Sequence, residues 1–423
     1  MLDFCFASLV LAVSPSPHYR WYIVGLTLVN QALALGVIIY SFALFVVPWL
    51  HEYDISRGTV MLAILALQIM TGLLSPFFGQ LLDQYVMRRL VIFGVAFMGV
   101  GLFLLSQATE FWQVVAVYTF ILPVSMLLTG TLASQTMISK WFTRQRSLAI
   151  GLSSMGTSIG GLAIPLITTA LIDWYAWQGA LMFLAVGSLV IMIPLNLAIL
   201  RFEPTVQIGQ QKGSAEPSQR IWGSREILTS RAFWIPIVSL IPLNAAFGGV
   251  QFNLGAYMHD LGYSQATAAQ LISLTAFTMI IGKLFFGALG DRVDHRRLLW
   301  IMSLLQVSAL ILYEGSPGHI SLLAAAALQG LSVGGVMPMM GIAYSARFGT
   351  LSFGKILGYV NLFLMIGSFG SILSGWVFDL TGSYDVAFQI FIVITLPGII
   401  ATWFLPEVKK PFREDGKAEF PNS

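Results

Sequence analysis

Charged residues and cysteine are both scarce in this chain. Asp, Glu, Lys and Arg make up 10% of its 423 residues, against roughly 25% in an ordinary soluble domain, and so few charges cannot cover a water-exposed surface. The single cysteine, Cys5, excludes an internal disulfide and a four-cysteine metal site, and the five histidines form no cluster with it. We therefore expect no metal and no cofactor.

Reactive side chains are scarce as well. An enzyme would need a nucleophile beside a base, or paired carboxylates, at a common depth, and the apolar stretches contain no such set. A channel would show rings of pore-lining charge or a filter segment between helices, and neither is visible. The sequence thus predicts no catalytic residue, and nothing in it predicts a nucleic-acid partner.

Long apolar runs dominate the chain instead. Hydrophobic residues make up 57% of it, and the mean hydropathy is +0.81. A helix needs about 20 apolar residues to cross a bilayer. Twelve stretches meet this need: 20–50, 57–82, 90–107, 111–138, 146–172, 177–200, 233–259, 265–289, 298–314, 319–345, 354–378 and 385–405. They predict an all-α membrane protein with twelve transmembrane helices, embedded in a lipid bilayer.

Polar residues divide the chain into five segments. The longest internal polar stretch separates two groups of six predicted spans. We predict an N-terminal segment at 1–19, a six-helix bundle at 20–200, a linker at 201–232, a second six-helix bundle at 233–405 and a tail at 406–423.

Lysine and arginine lie almost entirely on one side of the predicted membrane. Of the 22 basic residues, only Arg57 falls in a loop that follows an odd-numbered span, and only Lys283 falls inside a span. Because cytoplasmic loops carry the excess of basic residues, the basic side and both termini should be cytoplasmic. We expect a multi-pass protein of the cell membrane, plasma or inner.

The two halves repeat one pattern. The loops after the second and eighth spans share a Gly-x3-Asp pair followed by arginines, in Gly79, Asp83, Arg88 and Arg89 and in Gly287, Asp291, Arg292, Arg296 and Arg297. The Gly, the Asp and the first Arg of the final pair each recur after 208 residues. Gly151 of the fifth span and Gly358 of the eleventh differ by 207. Six helices were therefore duplicated in parallel.

The duplicated loop resembles the best-known signature of the major facilitator superfamily, and the resemblance extends over about residues 20–405. Several stretches further resemble its branch of monocarboxylate porters and oxalate:formate antiporters. They are Arg20-Trp21-Tyr22, Trp141-Phe142 followed by Arg144 and Arg146, and Gly375-Trp376-Val377-Phe378-Asp379. The resemblance implies the major facilitator fold, two parallel six-helix repeats that open alternately to either side of the membrane.

The resemblance also implies a gate. In the family the loop Asp faces a helix N-terminus and an arginine of the neighbouring half, so Asp83 and Asp291 would hold the cytoplasmic side shut. A carboxylate at a helix N-terminus is stabilised by roughly 0.3–1 kcal/mol. A solvated helix cap is the alternative. Two departures stand out, because Val86 and Asp294 occupy the positions where the family usually has glycine.

Lys283 is the one charge within the predicted spans. It precedes Asp291 by eight residues, which places it about 12 Å from the helix end at 1.5 Å per residue. A charge at that depth is costly and usually functional. Its position matches an arginine that the resembled branch places in its substrate site, which predicts that Lys283 binds a substrate carboxylate. The alternative is a lysine that extends to the interface.

The surroundings of Lys283 in the sequence bear on the substrate and on coupling. One fixed positive charge favours a monoanion over a dianion. The branch often has an aspartate one turn earlier, linked to proton coupling, but Met279 occupies that position here. A coupling proton is therefore left open as a partner.

Uncharged polar residues and glycines complete the candidate site. Because spans 1, 4, 7 and 10 line the cavity in this superfamily, we select Tyr40, Asn253 and Tyr257 as further substrate ligands, with helix–helix hydrogen bonds as the alternative. Small residues let helices approach closely, and the glycines in question are Gly156, Gly160, Gly161, Gly367 and Gly370. Either sliding contacts between the halves or static packing would use them.

Together these features predict a monomeric secondary active transporter that moves a small organic anion, foremost a monocarboxylate, by alternating access. Two alternatives stay open. One is a carrier for a neutral solute such as a sugar, and the other is a receptor that has the same fold and does not transport.

Overall fold

The computed structural model describes residues 18–55, 57–142, 145–201, 221–263, 265–315 and 317–406. Most of the predicted N-terminal segment, linker and tail lies outside these ranges, as does Arg144 of the branch motif. The described residues form helices and turns, with no strand among them.

The helices of the first half are α1 Tyr19–Leu35, α2 Phe42–Tyr53, α3 Arg57–Gln84, α4 Met87–Ser106, α5 Phe111–Phe120, α6 Leu122–Thr129, α7 Thr131–Trp141 and α8 Arg146–Ile199. Those of the second half are α9 Ser224–Thr229, α10 Arg231–Gln251, α11 Leu254–Asp260, α12 Gln265–Gly290, α13 His295–Tyr313, α14 His319–Gly334, α15 Val336–Phe348, α16 Phe353–Leu364, α17 Gly370–Thr381 and α18 Asp385–Trp403. A π-helical turn, Gly36–Tyr40, joins α1 to α2, and a 3-10 turn, Met365–Phe369, joins α16 to α17.

Helix α8 is two membrane spans joined by a sharp bend. Eleven segments of the described chain are long and apolar enough to cross a membrane, and α8, with 54 residues, is the longest. At 1.5 Å per residue it would measure about 80 Å, more than twice the roughly 30 Å of a bilayer core. Ala176, at φ 57° and ψ 177°, breaks it into a first arm (146–175) and a second arm (177–199). The prediction of twelve spans is thereby confirmed.

Interruptions of the helices follow a pattern. The first, fourth, seventh and tenth spans each consist of two or three short helices, whereas α3 and α12, the second and eighth spans, are continuous. The eleventh span is also interrupted, by its 3-10 turn. Irregular backbone at membrane depth is tolerated where it is buried in protein or lines a cavity. The broken spans include all four that the family resemblance assigns to the cavity wall.

The halves meet where two pairs of helices cross. We call these the α3–α16 crossing and the α8–α12 crossing, the latter formed by the first arm of α8. A methyl group added to Gly79 would collide with the backbone of Gly354, and one added to Gly151 would lie 2.7 Å from the carbonyl oxygen of Lys283. Glycine is thus required at both crossings because the helix backbones touch there.

The five glycines selected from the sequence pack elsewhere. Gly156 and Gly160 lie against the backbone of Leu28 and Ala32 in α1. Gly161 lies against the ring of Tyr40, and Gly367 and Gly370 lie against Asn244 and Ala245 of α10. All of these neighbours belong to the same half as the glycine, which favours static packing over sliding contacts between the halves.

The end of the bundle that carries Asp83 and Asp291 also carries most of the basic residues, and we call it the basic end. Part of the segment predicted to be a solvated linker is docked there. The Trp222 backbone N–H donates to Ser352 Oγ at 3.0 Å, and its indole N–H donates to the Phe348 carbonyl at 2.9 Å. Lys355 Nζ donates to the Trp222 carbonyl at 3.2 Å. An aromatic side chain with two bonded N–H groups explains why residues 221–223 pack against the loop before α16.

Candidate functional site

Lys283 lies on α12 and forms bonds across the boundary between the halves. Its Nζ donates to Thr157 Oγ1 and to Ser158 Oγ, both at 2.6 Å, and both hydroxyls belong to the first arm of α8. The side chain is 1% exposed, so it does not extend to the interface. Among the described residues no carboxylate partners this amine. A buried amine held only by two neutral hydroxyls can accommodate an anion.

Asp83 and Asp291 each receive hydrogen bonds from the first turn of a helix in the other half. Asp83 accepts the backbone N–H groups of Gly354 and Lys355, both at 2.8 Å, at the start of α16. Asp291 accepts the Ser147 hydroxyl at 2.6 Å and the Ser147 N–H at 3.2 Å, at the start of α8. The first N–H groups of a helix have no partner within it, so both carboxylates satisfy groups that would otherwise be orphaned.

Cations lie near both carboxylates. The charges of Lys140 and Lys355 act on Asp83, and Asp291 lies close enough to act on Arg146 of the first half. Lys140 also binds the end of α3, since its Nζ donates to the Leu82 carbonyl at 2.7 Å. The contacts of Asp83 and Asp291 therefore each combine a helix terminus with a nearby positive charge.

The two departures from the family loop pattern have a structural explanation. Val86 precedes α4 with φ −61° and ψ 113°, and Asp294 precedes α13 with φ −61° and ψ 130°. Both are ordinary extended conformations, so neither position needs glycine. Asp294 also caps α13, because its Oδ1 accepts the Arg296 N–H at 2.8 Å. The loops keep their shape without the usual glycine.

The loop arginines lie at the basic end. Arg88 and Arg89 line a cavity of about 310 Å³ together with Arg201. Arg296 Nε donates to the Leu405 carbonyl at 2.7 Å, and Arg292 and Arg297 are exposed. The Arg296 bond thus ties the start of the second loop's helix to the chain just after α18.

Tyr40 and Asn253 lie at breaks in the first and seventh spans. Tyr40 ends the π-helical turn, is 39% exposed, and has its ring over Gly161. Asn253 lies between α10 and α11, and its Nδ2 donates to the carbonyls of Gly249 and Ser371 at 2.9 and 3.2 Å. π-Helical turns occur often at functional sites. Tyr40 therefore stays a candidate ligand. The amide N–H groups of Asn253 are already bonded to carbonyls of the second half.

Tyr257 has a different environment from the one its selection implies. Its hydroxyl donates to the Tyr313 carbonyl, and its ring packs edge-on against Tyr384 and Phe388. The side chain is 5% exposed. These contacts are to its own half, whereas those of Lys283 span the halves, and they favour a packing role for Tyr257.

Sequence reasoning missed the partners of the selected residues. Thr157, Ser158, Ser147 and Gly354 were not selected, although two of them had a signal. Ser147 and Gly354 are separated by 207 residues, the repeat distance of the fifth and eleventh spans. The duplication could therefore have paired each loop carboxylate with the helix start of the other half. For Thr157 and Ser158 the sequence offers no comparable signal.

Comparison with known families identifies one match. The family model described as Major Facilitator Superfamily matches residues 28–313 and 252–422. Between them the two matches cover nearly all of the chain, including both carboxylate loops and Lys283.

Individual relatives are similar over most of their length. Monocarboxylate transporter 13 of Bos taurus is 27% identical over 401 residues, which span 92% of this chain and 89% of that protein. An uncharacterized MFS-type transporter of Bacillus subtilis, YcxA, is 23% identical over 386 residues, or 89% of this chain and 93% of its own. The resemblance to the monocarboxylate branch is thus confirmed at the level of sequence similarity.

Solved structures share the fold. The human organic anion transporter MFSD10 superimposes with a TM-score of 0.68 at 15% identity, over 92% of this chain and 100% of that one. The transporter FucP in its outward conformation gives 0.67 at 14% identity, over 91% and 99%. The proton:xylose symporter XylE gives 0.69 at 14% identity, over 94% and 98%. At such identities these likenesses support the architecture alone.

Proposed function

The chain belongs to the major facilitator superfamily, and from this premise we propose that it is a secondary active carrier for a small organic monoanion, foremost a monocarboxylate. Its membership makes it a multi-pass membrane transporter and not an enzyme. The finer proposal concerns the substrate and the way it crosses the membrane.

The observation that carries the proposal is the environment of Lys283. A lone cation at membrane depth is costly to insert, and such residues are usually kept for function. Lys283 is 1% exposed and bonded to two neutral hydroxyls, with no carboxylate partner among the described residues. An anionic substrate would supply the missing charge. Monocarboxylates fit best, because the site provides one cation and because a relative of similar length is named for them.

Transport would proceed by alternating access. We propose that the two bundles, 20–200 and 233–405, rock about the Lys283 site, and that the bonds of Asp83 and Asp291 close the basic end. In this scheme the basic end and both termini face the cytoplasm, and the carrier is a monomer. Broken helices beside a site at the boundary of two repeats support the scheme, since carriers of this kind form their sites from such helices.

A neutral solute is the main competing substrate. The structural relatives include sugar symporters as well as an organic anion transporter, so fold likeness does not decide between these classes. Removing the charge of Lys283 would separate the two classes, because the loss should weaken carboxylate binding greatly and sugar binding little.

The test is a thermal-shift screen of the purified carrier with pyruvate, L-lactate, acetate, D-glucose and D-xylose. A ligand that binds only the folded state stabilises it by about 2.7 kcal/mol at a concentration of 100 Kd. We expect a monocarboxylate to raise the melting temperature of the parent and of Lys283→Arg, which keeps the charge, but not of Lys283→Gln. A shift by sugars alone, or an equal response of Lys283→Gln, would reject the anion proposal.

Flux separates a carrier from a receptor. Liposomes containing the parent should take up the radiolabelled carboxylate that gave the shift, and preloading with unlabelled carboxylate reveals exchange. Binding without uptake under any gradient would favour the receptor.

A further inference from the structure

Lys283 and its neighbour Ser158 each have one hydrogen-bond donor without an acceptor in the described part of the chain. A lysine ammonium has three N–H donors, and Nζ gives two of them, to Thr157 and Ser158. The Thr157 hydroxyl in turn donates to the Ser154 carbonyl at 3.0 Å. The Ser158 hydroxyl accepts from Lys283, and its own hydrogen has no acceptor in the described part of the chain. Lys283 Nζ and Ser158 Oγ, 2.6 Å apart, thus each keep one donor.

The other crossing shows what packing alone requires. By the repeat distances of 208 and 207 residues, the counterparts of Lys283, Thr157 and Ser158 are Ser75, Leu364 and Met365. The crossings match in backbone, because Gly151 faces the Lys283 carbonyl as Gly358 faces the Ser75 carbonyl. One crossing therefore packs without a cation or a hydroxyl pair. The polar trio at the α8–α12 crossing is not needed to join the halves.

We propose that Ser158 is the second carboxylate ligand of this carrier and that Thr157 is a positioning residue for Lys283. The inference rests on the proposed function, since it completes the same site. One carboxylate oxygen accepts the third N–H of Lys283, and the other accepts the Ser158 O–H. Thr157 has no free donor, so it acts by fixing the amine. Hydrogen bonds to a charged group are the strong ones, and paired bonds to a carboxylate add geometric selectivity.

Burial and position agree with these roles. Ser158 is 8% exposed, Thr157 5% and Lys283 1%, so Ser158 is the most accessible member of the trio. Lys283 belongs to the second half and Ser158 to the first. A bound carboxylate therefore bonds to both halves at once, and its binding is coupled to their approach.

The first experiment measures the Kd of pyruvate for the purified full-length carrier by calorimetry. Ser158→Ala should raise the Kd about tenfold or more, because it removes a hydrogen bond to a charged group. Ser154→Ala is the matched control, since the Ser154 hydroxyl is buried one turn away and donates to the Gly151 carbonyl at 2.8 Å. The Kd of this variant should stay within about twofold of the parent, because the substitution keeps the Ser154 carbonyl that accepts the Thr157 hydroxyl and removes only a bond to Gly151.

The second experiment isolates Thr157. Thr157→Val keeps the shape of the side chain and removes the acceptor of Lys283, so the Kd of pyruvate should rise. Thr157→Ser restores the hydroxyl and should restore the Kd. A merely structural role would lower the melting temperature of Thr157→Val without a change in Kd, and that result would overturn the positioning role.

The failures can be told apart. If Lys283→Gln abolishes pyruvate binding while Ser158→Ala binds like the parent, the Ser158 inference falls and the proposed function stands. If no monocarboxylate binds the parent, the proposed function falls and this site falls with it.

Discussion

At the scale of single residues, Asp83 and Asp291 act alike with different donors. Asp83 accepts two backbone N–H groups, whereas Asp291 accepts one hydroxyl and one backbone N–H of Ser147. All of these donors belong to the opposite half. The bonds therefore require that each of these helix ends lies against the opposite half.

Removing the charge of Asp83 should favour opening of the basic end. Asp83→Asn keeps the side-chain shape but loses the attraction between the carboxylate and the N-terminus of α16, worth up to about 2 kcal/mol in partly buried sites. Ser75, 0% exposed at the α3–α16 crossing, can report opening as a single cysteine in a Cys5→Ser background. We expect its labelling by a soluble maleimide to accelerate about fivefold to thirtyfold.

A carboxylate at the opposite end provides the control for this experiment. Asp385 accepts the Gly315 N–H at 2.9 Å, inside the second half. Asp385→Asn should leave the labelling of the cysteine at position 75 unchanged. Equal labelling in Asp83→Asn and the parent would contradict the gating role of Asp83.

The candidate site was only partly predictable at this scale. Lys283 was identifiable because a charge within an apolar run is rare. Thr157 and Ser158 were not, because hydroxyl residues are common in membrane helices and sequence does not fix which neighbour a helix face meets. Tyr257 illustrates the converse, since a polar residue in the seventh span was expected to face the cavity and instead packs within its own half.

At the scale of helices, glycine positions determine which pairs touch. Gly79 and Gly151 allow backbone contact between the halves, whereas Gly156 and Gly160 allow it between α1 and α8 inside the first half. The same residue type therefore serves the boundary between the halves and the packing inside one half. Only the helix that packs against the glycine distinguishes the two kinds of contact.

Adding a methyl group at each kind of contact should give different results. Gly79→Ala would collide with the Gly354 backbone and force α3 from α16, so it should accelerate labelling of the cysteine at position 75. Gly160→Ala would collide with the Ala32 backbone and should lower the melting temperature. Its cost should be about 1–3 kcal/mol, as for other overpacked sites. Thermal unfolding and maleimide labelling of both variants check the contrast, and accelerated labelling in Gly160→Ala alone would contradict it.

The positions of the membrane spans along the chain were predictable from the sequence, and the bends and interruptions of their helices were not. Apolar runs located all twelve spans, because a bilayer demands about 20 apolar residues from each. The π-helical turn Gly36–Tyr40 and the sharp bend at Ala176 depend on local packing that hydropathy does not contain. The glycine partners were missed for the same reason.

At the scale of the whole molecule, the described contacts between the halves are polarised. At the α8–α12 crossing they run from Ser147 and Asp291, at the basic end, to Thr157, Ser158 and Lys283. The basic end is thus closed in this structure. A carrier in this state would receive its substrate from the other side of the membrane.

The orientation of the bundle can be tested in intact cells. Glu110 and Gln84 are exposed at opposite ends, one before α5 and one at the end of α3. In a Cys5→Ser background, an impermeant maleimide should label Glu110→Cys and leave Gln84→Cys unlabelled until the cells are opened, because basic loops stay in the cytoplasm. The reverse pattern would invert the proposed topology.

The hydroxyl pair beside Lys283 also bears on biosynthesis. Chains are made from the N-terminus, and domains generally fold in that order. When α12 emerges from the ribosome, the helix with Thr157 and Ser158 has already been synthesised. The lysine, which costs about 3 kcal/mol to insert at a helix centre, thus enters a membrane that already contains its two acceptors. We expect the order of the two halves along the chain to ease insertion of α12 for this reason.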